Sequence, residues 1–340
     1  MTTAQQHNQQ EASDVTQQNV TLSEPAPPAA DRRWRPTPLA VGLTIVALAV
    51  IPFAVTTHRF LTWDNARAIL ASAAFVGITA IGATVVMIAG SAVSMATSQT
   101  ATIVAMAFLA TQQLGLPLAI LLALACGVAI TALQGLAIGY WDANPIVLTI
   151  AAGFAIAGFA TWFSAGMPVY GKNDDYEVLN HTPLGIPISV YVMVGLALVV
   201  EWFLRRTIAG RQTYLVGENR RAARAAGLPV GRVTLIAWAI LGLCVATTAI
   251  FLGSFHTLAN YQTGGTLTLD AVAAVLVGGT AITGGRGSAL RTLGGTILIS
   301  VISDILLIRG YSTGAQMLVK GLLVLAVVIV VNVPSRRASR

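Results

Sequence analysis

Side chains that usually carry chemistry are few in this sequence and wrongly spaced for it. The four histidines, His7, His58, His181 and His256, lie far apart, and none belongs to an H-E-x-x-H pair. No G-x-S-x-G elbow occurs. Gly279 and Gly284 have the spacing of a phosphate-binding loop, but Gly285 and Arg286 stand where that loop needs Lys followed by Ser or Thr. Without the lysine the phosphates lack their cation, so ATP is expected on another chain. Cys126 and Cys244 sit in apolar runs with neither metal-ligand nor disulfide spacing. No catalytic, cofactor-binding or metal residue is therefore assigned.

Three features remain. The first is the basic stretch 205–232, in which Glu218 to Ala226 reads as a short helix. Ala222, Ala223, Ala225 and Ala226 are strong helix formers, Gly217 precedes them, and Gly227 suits the residue after a helix end, before Pro229. A topogenic loop needs only charge. A short helix with a small face also suits docking against another protein. The second is the turn Gly278-Gly279-Thr280 through Gly284-Gly285-Arg286-Gly287-Ser288, which is either a tight hairpin or a ligand contact. The third is a pair of charges inside apolar runs, Asp304 and Lys320. Intramembrane ions tend to pair and to mark function, although a lysine can also snorkel outward. A structural pair and a gating role both stay open.

The elements that must position these residues are membrane helices. Apolar residues make up 55% of the 340 positions and charged ones only 10%, against about a quarter in a soluble domain. That excludes a cytosolic enzyme, and it excludes a nucleic-acid binder despite the net charge of +7. Residues 1–38 are polar and Pro-rich and read as a disordered tail; no signal peptide is expected. Between Arg67 and Asp142 no charge occurs in 74 residues, far more than the roughly 20 of one span, so this stretch must fold back. Spans are expected at 39–57, 69–89, 95–112, 117–140, 145–164, 188–204, 232–252, 269–283, 289–308 and 313–333. The fold class is thus all-α and polytopic, with about ten helices in a membrane domain 39–333 and a basic tail 334–340. With the tail inside, fifteen Lys and Arg residues fall on the cytoplasmic side and four outside, so both termini are expected in the cytoplasm. Asp174, Asp175 and Glu177 then fall in an outer loop.

With these residues in view, the chain resembles the membrane permease subunits of ABC importers for simple sugars, the ribose-transporter type, a broad family that includes branched-chain amino-acid, nucleoside and autoinducer-2 permeases. Gly217-Glu218-Asn219-Arg220-Arg221-Ala222-Ala223, ending at Gly227-Leu228, resembles the family's coupling segment. Leu269-Asp270-Ala271-Val272-Ala273-Ala274-Val275, Gly278-Gly279-Thr280, Gly284-Gly285-Arg286-Gly287-Ser288 and Lys320-Gly321 resemble its later motifs, and Asn144-Pro145-Ile146-Val147-Leu148-Thr149 a looser one. The resemblance implies that Gly217, Glu218, Asn219, Ala222, Ala223 and Gly227 contact an ATPase. It leaves Gly278, Gly279, Thr280, Asp304 and Lys320 as candidate pathway or gate residues. It also implies partners: cytoplasmic ATPase subunits, an extracellular or periplasmic solute-binding protein, and a second permease subunit, identical or sibling, in a bacterial inner membrane. Ala92 departs from the pattern, standing where the family commonly carries an acid. Either the solute differs or a sibling supplies the carboxylate. The competing reading is a secondary transporter driven by an ion gradient, which would need an ionisable residue near the bilayer midplane.

Overall fold

The computed structural model describes residue 60, residues 62–171 and residues 178–332. The expected tail 1–38, first span 39–57, acidic outer-loop group and basic tail 334–340 lie outside those residues. The described part holds eleven α-helices: α1 Trp63–Ile88, α2 Thr97–Thr111, α3 Leu116–Tyr140, α4 Pro145–Phe163, α5 Ile188–Arg206, α6 Ile208–Glu218, α7 Arg220–Ala225, α8 Val230–His256, α9 Leu267–Val277, α10 Ala289–Ile308 and α11 Thr313–Asn332. A two-residue antiparallel ladder pairs β1, Val169–Tyr170, with β2, Leu258–Ala259. Six helices among the described residues (α1, α3, α4, α5, α8 and α10) are long and apolar enough to cross a membrane.

The core is built around α1. Every residue from Gly77 to Ile88 is buried, which suits a segment apolar on all sides. The largest helix contact is between α3 and α8, and the sequence of α3 explains it. Ala119, Ala123, Gly127, Thr131, Gly135 and Gly139 recur every fourth residue and are all buried. Such a stripe lets two backbones approach closely, the usual source of helix association in lipid. A Cβ on Gly127 would stand 2.7 Å from that of Ala246, and one on Gly139 would stand 2.8 Å from the Gly231 carbonyl oxygen. Rising numbers on α3 meet falling numbers on α8, so the two helices run antiparallel.

An internal repeat underlies this arrangement. Helices α1 to α4 start at 63, 97, 116 and 145, and α8 to α11 start at 230, 267, 289 and 313, so the second set follows the first by 167 to 173 residues. Thr79-Ala80-Ile81 recurs as Thr248-Ala249-Ile250, and the two threonine hydroxyls are hydrogen-bonded at 2.9 Å. The Ser98 amide donates to the Thr268 hydroxyl at 2.9 Å, and the Thr268 amide donates to the Ser98 hydroxyl at 3.0 Å. That exchange places corresponding turns of the two halves face to face. Because α1 crosses α8 antiparallel, the halves are inverted relative to each other, a construction common among transporters.

Several expected boundaries shift. The stretch 269–283 is helical only as Leu267–Val277, because Gly279 is left-handed (φ 82°) and the Thr280 amide folds back to the Val275 carbonyl. The expected helix from Glu218 to Ala226 is interrupted at Asn219, whose backbone is extended and whose side chain caps the Ala222 amide at 3.0 Å. Residues 208–218, read within a basic loop, are helical.

Candidate functional site

Three glycine-bearing stretches, ending at or containing Gly90, Gly217 and Gly284, meet at one end of the helix assembly. Helix α1 stops at Gly90, left-handed at φ 72°, with the Ser91 amide donating to the Val86 carbonyl. Gly217, in the last turn of α6, lies against that end. A Cβ on Gly90 would stand 3.0 Å from the Gly217 Cα. The glycine-rich turn closes the group from the other side. The Gly285 amide donates to the Ile88 carbonyl at 3.0 Å, and a Cβ on Gly284 would stand 2.6 Å from the Gly217 oxygen and 2.7 Å from the Gly90 Cα. The Tyr214 hydroxyl adds a bond to the Gly287 carbonyl at 3.1 Å. Three chain segments thus touch backbone to backbone, which only glycine permits at this separation.

Helix α7 stands beyond this junction. Ala223 points inward and packs with Val216, Val230 and Val233, while Ala222, Ala225 and Ala226 are uncovered. The small face expected from sequence is therefore divided. Gly217 and Ala223 belong to the chain's own packing, and Ala222, Glu218, Asn219 and Gly227 stay uncovered. Gly227 is left-handed (φ 77°) and ends α7 as the Leu228 amide reaches the Ala223 carbonyl.

Charged groups fasten the junction to the helices. Glu201 of α5 is 5% exposed and accepts from the Ser288 hydroxyl at 3.0 Å and from the Ala289 amide at 2.8 Å. It therefore sits at the start of α10, where a helix favours negative charge, and Arg205, one turn on, pairs with it. On the other flank, Asp142, between α3 and α4, receives Arg224 at 2.5 Å and Arg220 at 3.2 Å. The hydrogen bond from Arg224 holds the Asp142 carboxyl below the usual carboxylate range.

The candidate gate residues do not form one cluster. Lys320 pairs with Asp270 at 2.7 Å, not with Asp304, and Asp270 also accepts from the Thr266 hydroxyl at 2.7 Å. Asp304 accepts instead from the Asn65 side chain at 2.8 Å. The reason is placement: α11 packs against the first turn of α9 around Lys320, whereas Asp304 faces the start of α1. Gly278 is pressed onto α10, where a Cβ would meet the Thr292 Cα at 2.7 Å, and Thr280 is buried beside the junction. Sequence reasoning gave no site role to Asp270, Glu201, Asp142 or Gly90. Spacing signalled only Glu201, four residues before Arg205.

The match to known proteins is broad. Residues 65–328 fit the family described as branched-chain amino acid transport system / permease component. A probable ABC transporter permease of Escherichia coli, YphD, is 30% identical over 300 residues, covering 88% of this chain and 90% of its own. The ribose import permease RbsC of E. coli is 28% identical over 304 residues, 85% of this chain and 92% of its own. The autoinducer 2 permease LsrD of E. coli is 27% identical, covering 84% and 89%.

Proposed function

The chain belongs to the branched-chain amino acid transport system / permease component family, and from that premise we propose that it is the membrane subunit of an ATP-driven importer for a small sugar-like solute. It is a transport component, not a catalyst, and ATP is hydrolysed by a partner. The observation that carries this reading is the junction of Gly90, Gly217 and Gly284, which welds a cytoplasmic helix pair to a helix end and a turn within the membrane domain. Force applied to α6 and α7 would reach both directly. The partners are cytoplasmic ATPase subunits on the Ala222, Ala225 and Ala226 face, a solute-binding protein at the opposite end, and a second permease subunit. The protein crosses the bacterial inner membrane ten times with both termini inside.

The relatives RbsC, a ribose import permease, and LsrD, an autoinducer 2 permease, favour ribose-like and autoinducer-2-like solutes. An ion-driven mechanism is disfavoured because Glu201, Asp270 and Asp304 each have a partner in the structure. The test is co-purification of the cognate ATPase, and its stimulation by binding protein, with Ala225→Trp and Ala226→Trp. Overpacking costs about 1–3 kcal/mol per site, so association should weaken roughly five- to a hundredfold. Leu184→Trp, at the other end and 93% exposed, should leave co-purification of the ATPase as in wild type. Normal association in both alanine variants would remove the docking assignment.

A further inference from the structure

We propose that Asp142 is a positioning residue that ties α7 to the start of α4, so that movement of the docking segment is handed to a membrane helix little else holds. The inference rests on the reading of α6 and α7 as the ATPase-docking segment.

Three observations converge on it. First, two arginines one helical turn apart reach the same carboxylate oxygen, Arg224 at 2.5 Å and Arg220 at 3.2 Å. Residues four apart share a helix face, so α7 presents both to one loop. Arg220 also donates to the Ile138 carbonyl in the last turn of α3 at 2.8 Å, which fixes where that loop leaves.

Second, Asp142 occupies a left-handed backbone position, φ 51°. The Ala143 amide folds back to the Ala137 carbonyl there, at 3.3 Å. Glycine is the residue that fits such a position without strain, and Asp is tolerated less well. A turn alone would be better served by glycine, so the carboxylate itself is what the site uses.

Third, α4 begins two residues after Asp142's neighbour Ala143, with Asn144 as its cap, and its side chains contribute little to the core. Only Thr149, Gly153 and Ala160 are buried along its nineteen residues. Its one hydrogen bond to another membrane segment runs from the Met95 amide to the Thr149 hydroxyl at 3.1 Å, among the described residues. Met95 lies in the non-helical stretch between α1 and α2. A path therefore runs from α7 through Asp142 to α4, and from α4 to a break in the helix framework.

The experiment uses the whole complex of permease, ATPase and binding protein in nanodiscs. Cys126 and Cys244 are replaced, and Val147→Cys, uncovered in the first turn of α4, reports through its rate of maleimide labelling. That rate is compared without nucleotide and after trapping with ATP and vanadate. In the otherwise native complex trapping should change it at least fivefold. Asp142→Asn keeps the shape and tolerates the left-handed backbone; it should retain bound ATPase and lose most of that change. Asp142→Gly, which relaxes the backbone, should lose it equally. Reversing the charges, Asp142→Arg with Arg220→Asp and Arg224→Asp, should restore at least half. A full response in Asp142→Asn, no response in the native complex, or recovery in Asp142→Gly would each overturn the proposal. Failure of the docking reading is distinct, because it shows as normal ATPase association in Ala225→Trp.

Discussion

Gly217 and Ile88 meet backbone to backbone: a methyl group on Gly217 would overlap the Ile88 carbonyl oxygen, which already accepts the Gly285 amide. No side chain lies between them to yield. Gly217→Ala should therefore lower stability by at least the ~1–3 kcal/mol of ordinary overpacking. Gly227→Ala has open space around its Cβ and meets only the left-handed penalty of about 1–2 kcal/mol. Thermal unfolding in detergent should rank Gly217→Ala as the more damaged. An unchanged midpoint for Gly217→Ala would mean the junction is looser than its geometry.

Lys320 and Asp270 form a pair with side chains only 13% and 11% exposed. Breaking a buried pair leaves one charge without its partner, at a cost of about 3–5 kcal/mol. Lys320→Met and Asp270→Asn should each lower the yield of folded protein, and the double variant should recover part of it. Lys320→Met combined with Asp304→Asn should be additive, since those residues share no partner. Recovery in the second combination and not the first would reassign the pair.

Much of the helix layout was legible because it follows from length and composition. The charge-free run from Arg67 to Asp142 is too long for one span, and the stretches 90–98 and 112–117 mark where it breaks. Pairing was not legible. Asp304 and Lys320 are neighbours in sequence pattern, yet Lys320 finds Asp270 fifty residues upstream, because the short helix α9 ends at Gly278 and packs beside α11. The glycines were visible as turns, but nothing in their spacing says that Gly90, Gly217 and Gly284 close on one another. Ala223 could not be assigned a direction until the break at Asn219 set the phase of α7.

Glu201 holds the start of α10 through Ser288 and the Ala289 amide. Glu201→Gln keeps the size and removes the charge that favours a helix N-terminus. Hydrogen bonds to a charged group are worth about 1.5–3 kcal/mol, so a loss in that range is expected. Hydrogen exchange should rise at Ala289 and Leu290 before it rises along α8. Uniform exchange changes would argue for a global effect instead.

Orientation is open to a direct chemical test. In a background lacking Cys126 and Cys244, an impermeant thiol reagent added to intact cells should label Leu184→Cys and spare Arg221→Cys. Both positions are exposed, so accessibility within the protein does not decide the result. Labelling of Arg221→Cys from outside would invert the topology and separate the docking segment from any cytoplasmic ATPase.

The Ser98 and Thr268 exchange tests whether the two inverted halves are joined at their matched turns. Each hydroxyl accepts the other residue's amide, and the two hydroxyls are 2.8 Å apart. Ser98→Ala leaves the Thr268 amide without an acceptor in a buried place, and Thr268→Val does the same to the Ser98 amide. Losing such a hydroxyl cap costs about 1 kcal/mol, and a buried unsatisfied donor about 1–3 kcal/mol. Each single variant also breaks the hydroxyl–hydroxyl bond, which can be lost only once. The double variant should therefore cost less than the sum of the singles, by roughly 0.5–1.5 kcal/mol, the net worth of one hydrogen bond. Strict additivity in a thermal-unfolding cycle would show that the two turns act independently. The halves would then be held together by helix packing and by their other contacts, among them Thr79 to Thr248, Thr84 to Thr292 and the Gly285 amide to the Ile88 carbonyl.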